Sequence, residues 1–243
     1  MNPNTKTVFF IGASGGVGLS ALKHTLAAGH QCIALCRQPS KLTEIFPPAS
    51  TPNLKVIEGN AHDVQAVSKC LLTEDGKLVD MVCSTIGSRP NFRKMTIEDP
   101  ECCRNAAATL LEALDNLQRD GVTGSPHLIT FSTTGVSRFG RDYPLAVFPV
   151  YLWFLKVPHA DKRITEDRFS NSGRPFTIVR ASLLTTGETT KAIRVGIEDP
   201  KTGRESEAIG YFISREDSGK WVAENLILET KEKYVNKIAM ITN

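Results

Sequence analysis

The chain has 243 residues, 41% of them hydrophobic and 23% charged, with a net charge of only +3. Those proportions suit an ordinary globular protein long enough to bury a sizeable core, most simply as one domain spanning 1–243. A small charge with no long basic block argues against nucleic acid as a partner. The most apolar stretch, 144–158, is too short to cross a membrane and carries prolines.

Taken in order, strand and helix signals alternate. Thr7-Val8-Phe9-Phe10-Ile11 reads as a first strand, followed by the turn Gly12-Ala13-Ser14-Gly15-Gly16-Val17-Gly18 and a helical run to Leu26. Residues 31–36 form a second strand and 54–58 a third. Asp63 can cap a helix running to about Leu72. A fourth strand covers 78–85, a helix 101–119, a fifth strand 127–132, a helix 160–171 and a sixth strand 176–180. A hairpin spans 191–210 and turns at 199–203; a helix over 217–229 and a closing strand over 234–241 complete the chain. Alternation of this kind defines an α/β fold: a single Rossmann-like, doubly wound parallel sheet flanked by helices. The first residues lead into a strand without a signal-peptide pattern. Of six cysteines, Cys32, Cys36 and Cys83 fall in core strands and read as buried thiols in a reducing, cytosolic setting. No Cys/His grouping has metal-ligand spacing, so no metal is expected.

The glycine turn carries the most information. Glycines at 12, 15 and 18, between a strand and a helix, allow a sharp turn, close approach to a pyrophosphate and tight helix packing. The free N–H groups at the helix start then favour phosphate. Gly12, Ser14, Gly15, Gly16 and Val17 are therefore candidate cofactor contacts. The second strand ends at Arg37, with Lys41 nearby, where an acid would select NAD; a guanidinium there suits the 2′-phosphate of NADP(H). A solvated surface arginine is the competing reading. The ligand cleft of such a sheet lies at the carboxyl ends of its strands. That gathers the 59–63 turn, Ser84 to Gly87, Ser132 to Gly135 and the loop after Arg180. Ser132 reads either as a cleft hydrogen-bond donor or as a strand-end cap. Substrate-side segments are expected at 86–95, 135–158 and 184–213, the first two carrying arginines and aromatics.

With these features the chain resembles the atypical short-chain dehydrogenase/reductases, of the NmrA-like, NAD(P)-binding Rossmann type. The resemblance rests on residues 12–18, Arg37 with Lys41, residues 59–63, Ser132-Thr133-Thr134, residues 158–162, residues 176–184 and Ile213-Ser214-Arg215-Glu216-Asp217. It implies that Asp63 meets the adenine amine, that Ser84, Thr85 and Ile86 line the ribose and the way to the nicotinamide, and that Leu183 lies on the cofactor. It also implies a Tyr-x-x-x-Lys pair. Lys162 matches the lysine, which binds the nicotinamide ribose, but Pro158 stands where the tyrosine would be. Tyr143, Tyr151 or His159 can replace the acid if they enter the cleft. Each also reads as a packing or loop residue. The expected activity is NADP-dependent oxidoreduction of a small organic carbonyl, alkene or quinone-like substrate. The alternatives are a non-catalytic NADP-binding sensor and an enzyme using the fold for non-redox chemistry. The expected assembly is a monomer or homodimer, in the cytoplasm.

Overall fold

The computed structural model of the protein describes residues 5–91, 96–147 and 155–243. Its centre is a nine-stranded sheet in the order β11-β10-β13-β8-β7-β4-β1-β2-β3. These strands are β1 (Thr7–Ile11), β2 (Gln31–Cys36), β3 (Leu54–Glu58), β4 (Met81–Ser84), β7 (His127–Thr133), β8 (Phe176–Ala181), β10 (Arg194–Asp199), β11 (Gly203–Ser206) and β13 (Lys237–Thr242). From β3 to β13 all neighbours pair in parallel; β10 joins antiparallel to β13, and β11 antiparallel to β10. Two small pairs stand apart: β5 (Pro90–Asn91) with β6 (Thr96–Ile97), and β9 (Leu183–Thr185) parallel with β12 (Phe212–Ser214).

Central strands buried on both faces read as continuous apolar runs. Alternate residues of these strands enter two cores. Val8, Phe10, Ala34, Cys83, Ile129, Phe131 and Val179 pack towards α1 (Gly16–Ala27) and α6 (Arg215–Val222). Phe9, Ile11, Ile33, Val82, Leu128 and Ile178 pack towards α3 (Val64–Leu71) and α4 (Cys102–Arg119). All six cysteines are free thiols, five of them buried. Among the described residues no helix is long and apolar enough to cross a membrane.

The doubly wound α/β sheet matches the expectation, with differences at element ends. The fourth strand is shorter than 78–85, because Val79 donates to Leu71 and Leu72 bridges Leu78 before β4 begins. The helix expected at 160–171 is α5, Lys156–Ser170, with Pro158 inside its first turn, where a missing N–H breaks no helical bond. A short α2 (Ser40–Thr43) follows β2, and the last helix begins at Arg215, running into a π-helical turn, Ala223–Leu228. The hairpin at 199–203 forms as expected between β10 and β11. Tyr151, Trp153 and Phe154 lie outside the described residues, as do Phe92 and Arg93.

Candidate functional site

Strand order reverses between β1 and β4, and the glycine turn sits there at the carboxyl edge. Its glycines serve three different ends. Gly12 has φ +86°, and a Cβ on it would lie 3.0 Å from the backbone of Thr85 and Ile86. A Cβ on Gly18 would sit 2.2 Å from Thr85 Oγ1 and 2.6 Å from Gly12 O, so this glycine lets α1 press onto the turn. Gly15 has extended backbone and caps α1 without a side chain, and a Cβ there would meet nothing within 4 Å. Ser14, Gly15 and Gly16 are all exposed. The head of α1 is thus an open cradle of main-chain donors with no acidic residue in its first turn. That geometry fits a pyrophosphate. Val17, by contrast, is buried in the core beneath the turn.

The Arg37 side follows along the edge. Arg37, directly after β2, and Lys41, on α2, are exposed, and neither side chain is paired with an acid among the described residues. Asp63 caps α3, its Oδ1 accepting from Gln65 N at 2.9 Å and Ala66 N at 3.3 Å; its exposed carboxylate retains a second oxygen. Ser84 is buried at the end of β4. Thr85 faces the turn: its hydroxyl reaches Ile11 O at 3.3 Å and Gly12 O at 3.2 Å. It shapes the cradle from below.

On the other side of the switch point stands Lys162. Its Nζ donates to Phe131 O at 2.7 Å and Ile86 O at 3.1 Å, tying α5 to the ends of β7 and β4. An ammonium has three donors, and a ligand would share the third with the Cys103 thiol beside it. The next residue on β7, Ser132, is 4% exposed and its Oγ has no hydrogen-bond partner among the described residues. Lys162 thus binds the backbone of β7 one residue before the buried Ser132 hydroxyl. His159 is buried one turn before Arg163; burial, with Arg163 adding, lowers its pKa to about 4, so it is neutral at neutral pH. Tyr143 is half-buried on the connection after β7, and its carbonyl accepts from Arg141. Leu183 opens β9 and is half-buried, its N–H donating to Tyr211 O at 3.1 Å.

Three site-building residues were not singled out by local sequence pattern. Asp161 is buried and accepts from Cys103 N at 2.9 Å and Arg104 N at 3.0 Å, capping α4 from α5 and so fixing the neighbouring Lys162. Arg180, at the end of β8, binds Glu166 Oε2 at 2.6 Å and Glu198 Oε1 at 2.7 Å, with Asp142 at 3.9 Å. Burial opposes the charge on Arg180, but its acidic neighbours outweigh that and raise its pKa. Burial pushes the Asp142 carboxyl up, against the pull of Arg180. This cluster rivets the 135–142 loop, α5 and β10 together. Arg215, the first residue of α6, donates to Leu184 O at 3.2 Å and Thr185 O at 3.0 Å, and its Cδ lies 3.2 Å from where a Gly16 Cβ would be. The motif containing it entered only through family resemblance; no local pattern linked it to the glycine turn. The structure also gathers His62, Asp99 and Cys102, whose ligand-type atoms lie within 4.8 Å of one another. Spacing did not reveal that grouping, since His62 precedes α3 while Asp99 and Cys102 lie at the start of α4. His62 Nε2 is 3.1 Å from Cys102 O, and burial holds the Cys102 thiol up at about 11.

The fold and the glycine cradle are those of a dinucleotide-binding Rossmann protein. Residues 12–228 match the model of the NAD(P)H-binding family, and the chain belongs to that family. It is 37% identical to a protein named reductase pytE of Aspergillus terreus, over the full length of both. It is 31% identical to one named oxidase pynE of Aspergillus niger, covering 97% of this chain and 98% of that one. Among solved structures, a short-chain dehydrogenase/reductase from Veillonella parvula in complex with NADP superposes with TM-score 0.72 at 16% identity, covering 98% of this chain and 94% of that one. An anaerobilin reductase from Escherichia coli O157:H7 superposes with TM-score 0.63 at 17% identity, covering 97% and 96%. At such identities these two likenesses speak for the fold alone.

Proposed function

We propose that the chain is an NADP(H)-dependent reductase acting on a small organic carbonyl, alkene or quinone-like compound. The observation that carries the reading is the buried Ser132 hydroxyl, partnerless among the described residues, next to the Phe131 carbonyl that Lys162 holds, across the switch point from the open glycine cradle. A buried hydroxyl without a partner is costly unless a ligand satisfies it. NADP(H), when bound, supplies or accepts the hydride. The head of α1 holds the pyrophosphate, Arg37 and Lys41 the 2′-phosphate, and Lys162 a ribose hydroxyl through its third N–H. Arg215 adds positive charge beside the cradle. Ser132 donates a hydrogen bond to the substrate oxygen and polarises it. The names of the two fungal relatives, one a reductase and one an oxidase, agree with redox chemistry.

Pro158 favours a second reading, a non-catalytic NADP-binding sensor, because it removes the usual proton donor. The test is NADPH oxidation across a carbonyl and quinone panel, with Ser132→Ala, Tyr143→Phe, Tyr151→Phe, His159→Gln and Lys162→Ala. A reductase should lose roughly a hundredfold in turnover for at least one donor variant and for Lys162→Ala at saturating NADPH. NADPH binding with no oxidation of any panel member would favour the sensor. Turnover untouched by all five changes would refute the site.

A further inference from the structure

Beyond β8 the carboxyl edge opens into a cleft of about 600 Å³, a volume typical of small-molecule sites. Its floor is built where the sheet meets the β9–β12 pair, with Pro144 contributed by the connection after β7. The cleft adjoins the candidate cofactor site through shared residues. Thr185, on its wall, accepts from the same Arg215 that lies against Gly16. Thr189, also on the wall, is anchored to Asp217 near the head of α6, its hydroxyl at 2.7 Å from Oδ2.

Two properties of the lining select a ligand. The first is an apolar face: Tyr211 and Phe212 stand 48% and 52% exposed, their rings 6.2 Å apart and tilted by 32°, with Ile209 beside them. Two exposed aromatic rings on one rim are unusual in a water-facing wall and suit a flat apolar partner. The second is charge. Lys191 and Arg194 are the charged residues among the described lining, and no Asp or Glu accompanies them. Arg194 donates through Nη2 to Ile209 O at 3.1 Å and Asn243 O at 2.9 Å, which fixes it in place. Lys191 is exposed and has no acidic partner among the described residues. A low-polarity cleft with the unpaired Lys191 ammonium at its rim carries a positive field.

We infer that this cleft binds a flat, largely apolar organic anion, with its ring system on Tyr211 and Phe212 and its negative oxygen towards Lys191 and Arg194. The inference names the substrate class for the reductase reading and rests on it for the word substrate; the binding claim itself is tested without turnover. The probes are 2-naphthoate and its neutral counterpart 2-naphthamide, titrated calorimetrically against the full chain with and without saturating NADPH. Naphthoate should bind about tenfold more tightly than the amide, and NADPH should not displace it. Lys191→Met should weaken naphthoate about fivefold, the upper range for an exposed charge pair, and leave the amide unchanged. Tyr211→Ala should weaken both probes. Equal affinity for acid and amide, indifference to Lys191→Met, displacement by NADPH, or no binding of either probe would each overturn the inference. Lys191 is exposed, so its variant should fold, and unchanged thermal melting verifies that. Failure of the protein to bind NADPH would sink the reductase reading, while the probe comparison on the cofactor-free protein would still decide this one.

Discussion

Gly15 and Gly18 lie three residues apart in one motif, yet the structure assigns them opposite consequences when a side chain is added. At Gly15 the backbone is extended and a Cβ meets nothing within 4 Å. Losing glycine at an N-cap costs about 1 kcal/mol at most, and reduced freedom of the unfolded chain returns roughly 0.4–1 kcal/mol. Gly15→Val should therefore melt within a few degrees of wild type. On the proposed reading the space it fills is the pyrophosphate's, so NADPH affinity should fall at least about a hundredfold, near 2.7 kcal/mol. At Gly18 the added Cβ collides at 2.2 Å with Thr85 Oγ1, at 2.6 Å with Gly12 O and at 3.0 Å with Ala13 Cα. Two of those atoms are backbone and cannot swing aside. Overpacking of this kind costs roughly 1–3 kcal/mol or more, against about 1 kcal/mol gained from helix propensity. Gly18→Ala should lose on the order of 2 kcal/mol, which is about 4–8 °C in melting temperature for a chain this long. Differential scanning calorimetry and isothermal titration with NADPH, run on both variants, give the comparison. A normally folded Gly15→Val that binds NADPH like wild type would place the phosphate site elsewhere. A Gly18→Ala that melts unchanged would refute the packing argument.

Arg37→Asp should weaken NADPH by roughly 1.5–3 kcal/mol, the range for hydrogen bonds to charged groups, and change NADH much less; equal wild-type affinity for the two cofactors would reject the 2′-phosphate role. Arg180→Met leaves Glu166, Glu198 and Asp142 buried without their cation and should cost about 3–5 kcal/mol at neutral pH. Burial already raises the Asp142 carboxyl and Arg180 opposes it, so removing the cation raises it further and the deficit should shrink as pH falls; urea melts showing a pH-independent deficit would contradict this. His127 and His159 are both lowered to about 4, chiefly by burial, with Lys6 and Arg163 adding. A depressed folded pKa contributes stability above the unfolded value near 6.5 that is lost as pH drops to about 4, on the order of 3 kcal/mol for each histidine. His159→Gln should accordingly flatten the stability loss between pH 6.5 and 4, and an unaltered slope in denaturant midpoints would show that His159 is not the titrating group.

What could be read from the chain was local, and what could not was long-range. The strands were legible because parallel strands buried on both faces leave an unbroken apolar run, as in Val8 to Ile11 and Met81 to Cys83. The cradle was legible because its three glycines and their flanks occupy one short segment. Asp63 showed its capping role in the same way, through its place just ahead of a helical run. Asp161, Arg180 and Arg215 were opaque because each acts on a distant segment: Asp161 on an N–H 58 positions away, Arg180 on acids of α5 and β10, Arg215 on carbonyls about 30 positions back. A charged residue at a strand end or in an amphipathic helix reads as solvated until the fold shows it enclosed. Arg180 at 3% exposure contradicts that default, and its three acidic neighbours are the physical reason it is tolerated.

The same division bears on Pro158. A proline in the first turn of α5 breaks no helical hydrogen bond, so the helix forms on time and in register. Lys162 is then held from outside its own helix, by Phe131 O and Ile86 O, while Asp161 locks α5 to the start of α4. The lysine's position therefore does not depend on what stands four residues before it. Pro158 offers no proton donor, but the Lys162 cation and the buried Ser132 hydroxyl keep their places without one. A chain that had abandoned ligand chemistry at this strand end would have no reason to keep a buried hydroxyl without a protein partner there, since such a group destabilises the fold by about 1–3 kcal/mol. Ser132→Ala makes the argument measurable: it should leave melting unchanged or slightly raised while lowering turnover, and a clear loss of stability would mean that Ser132 serves the fold instead.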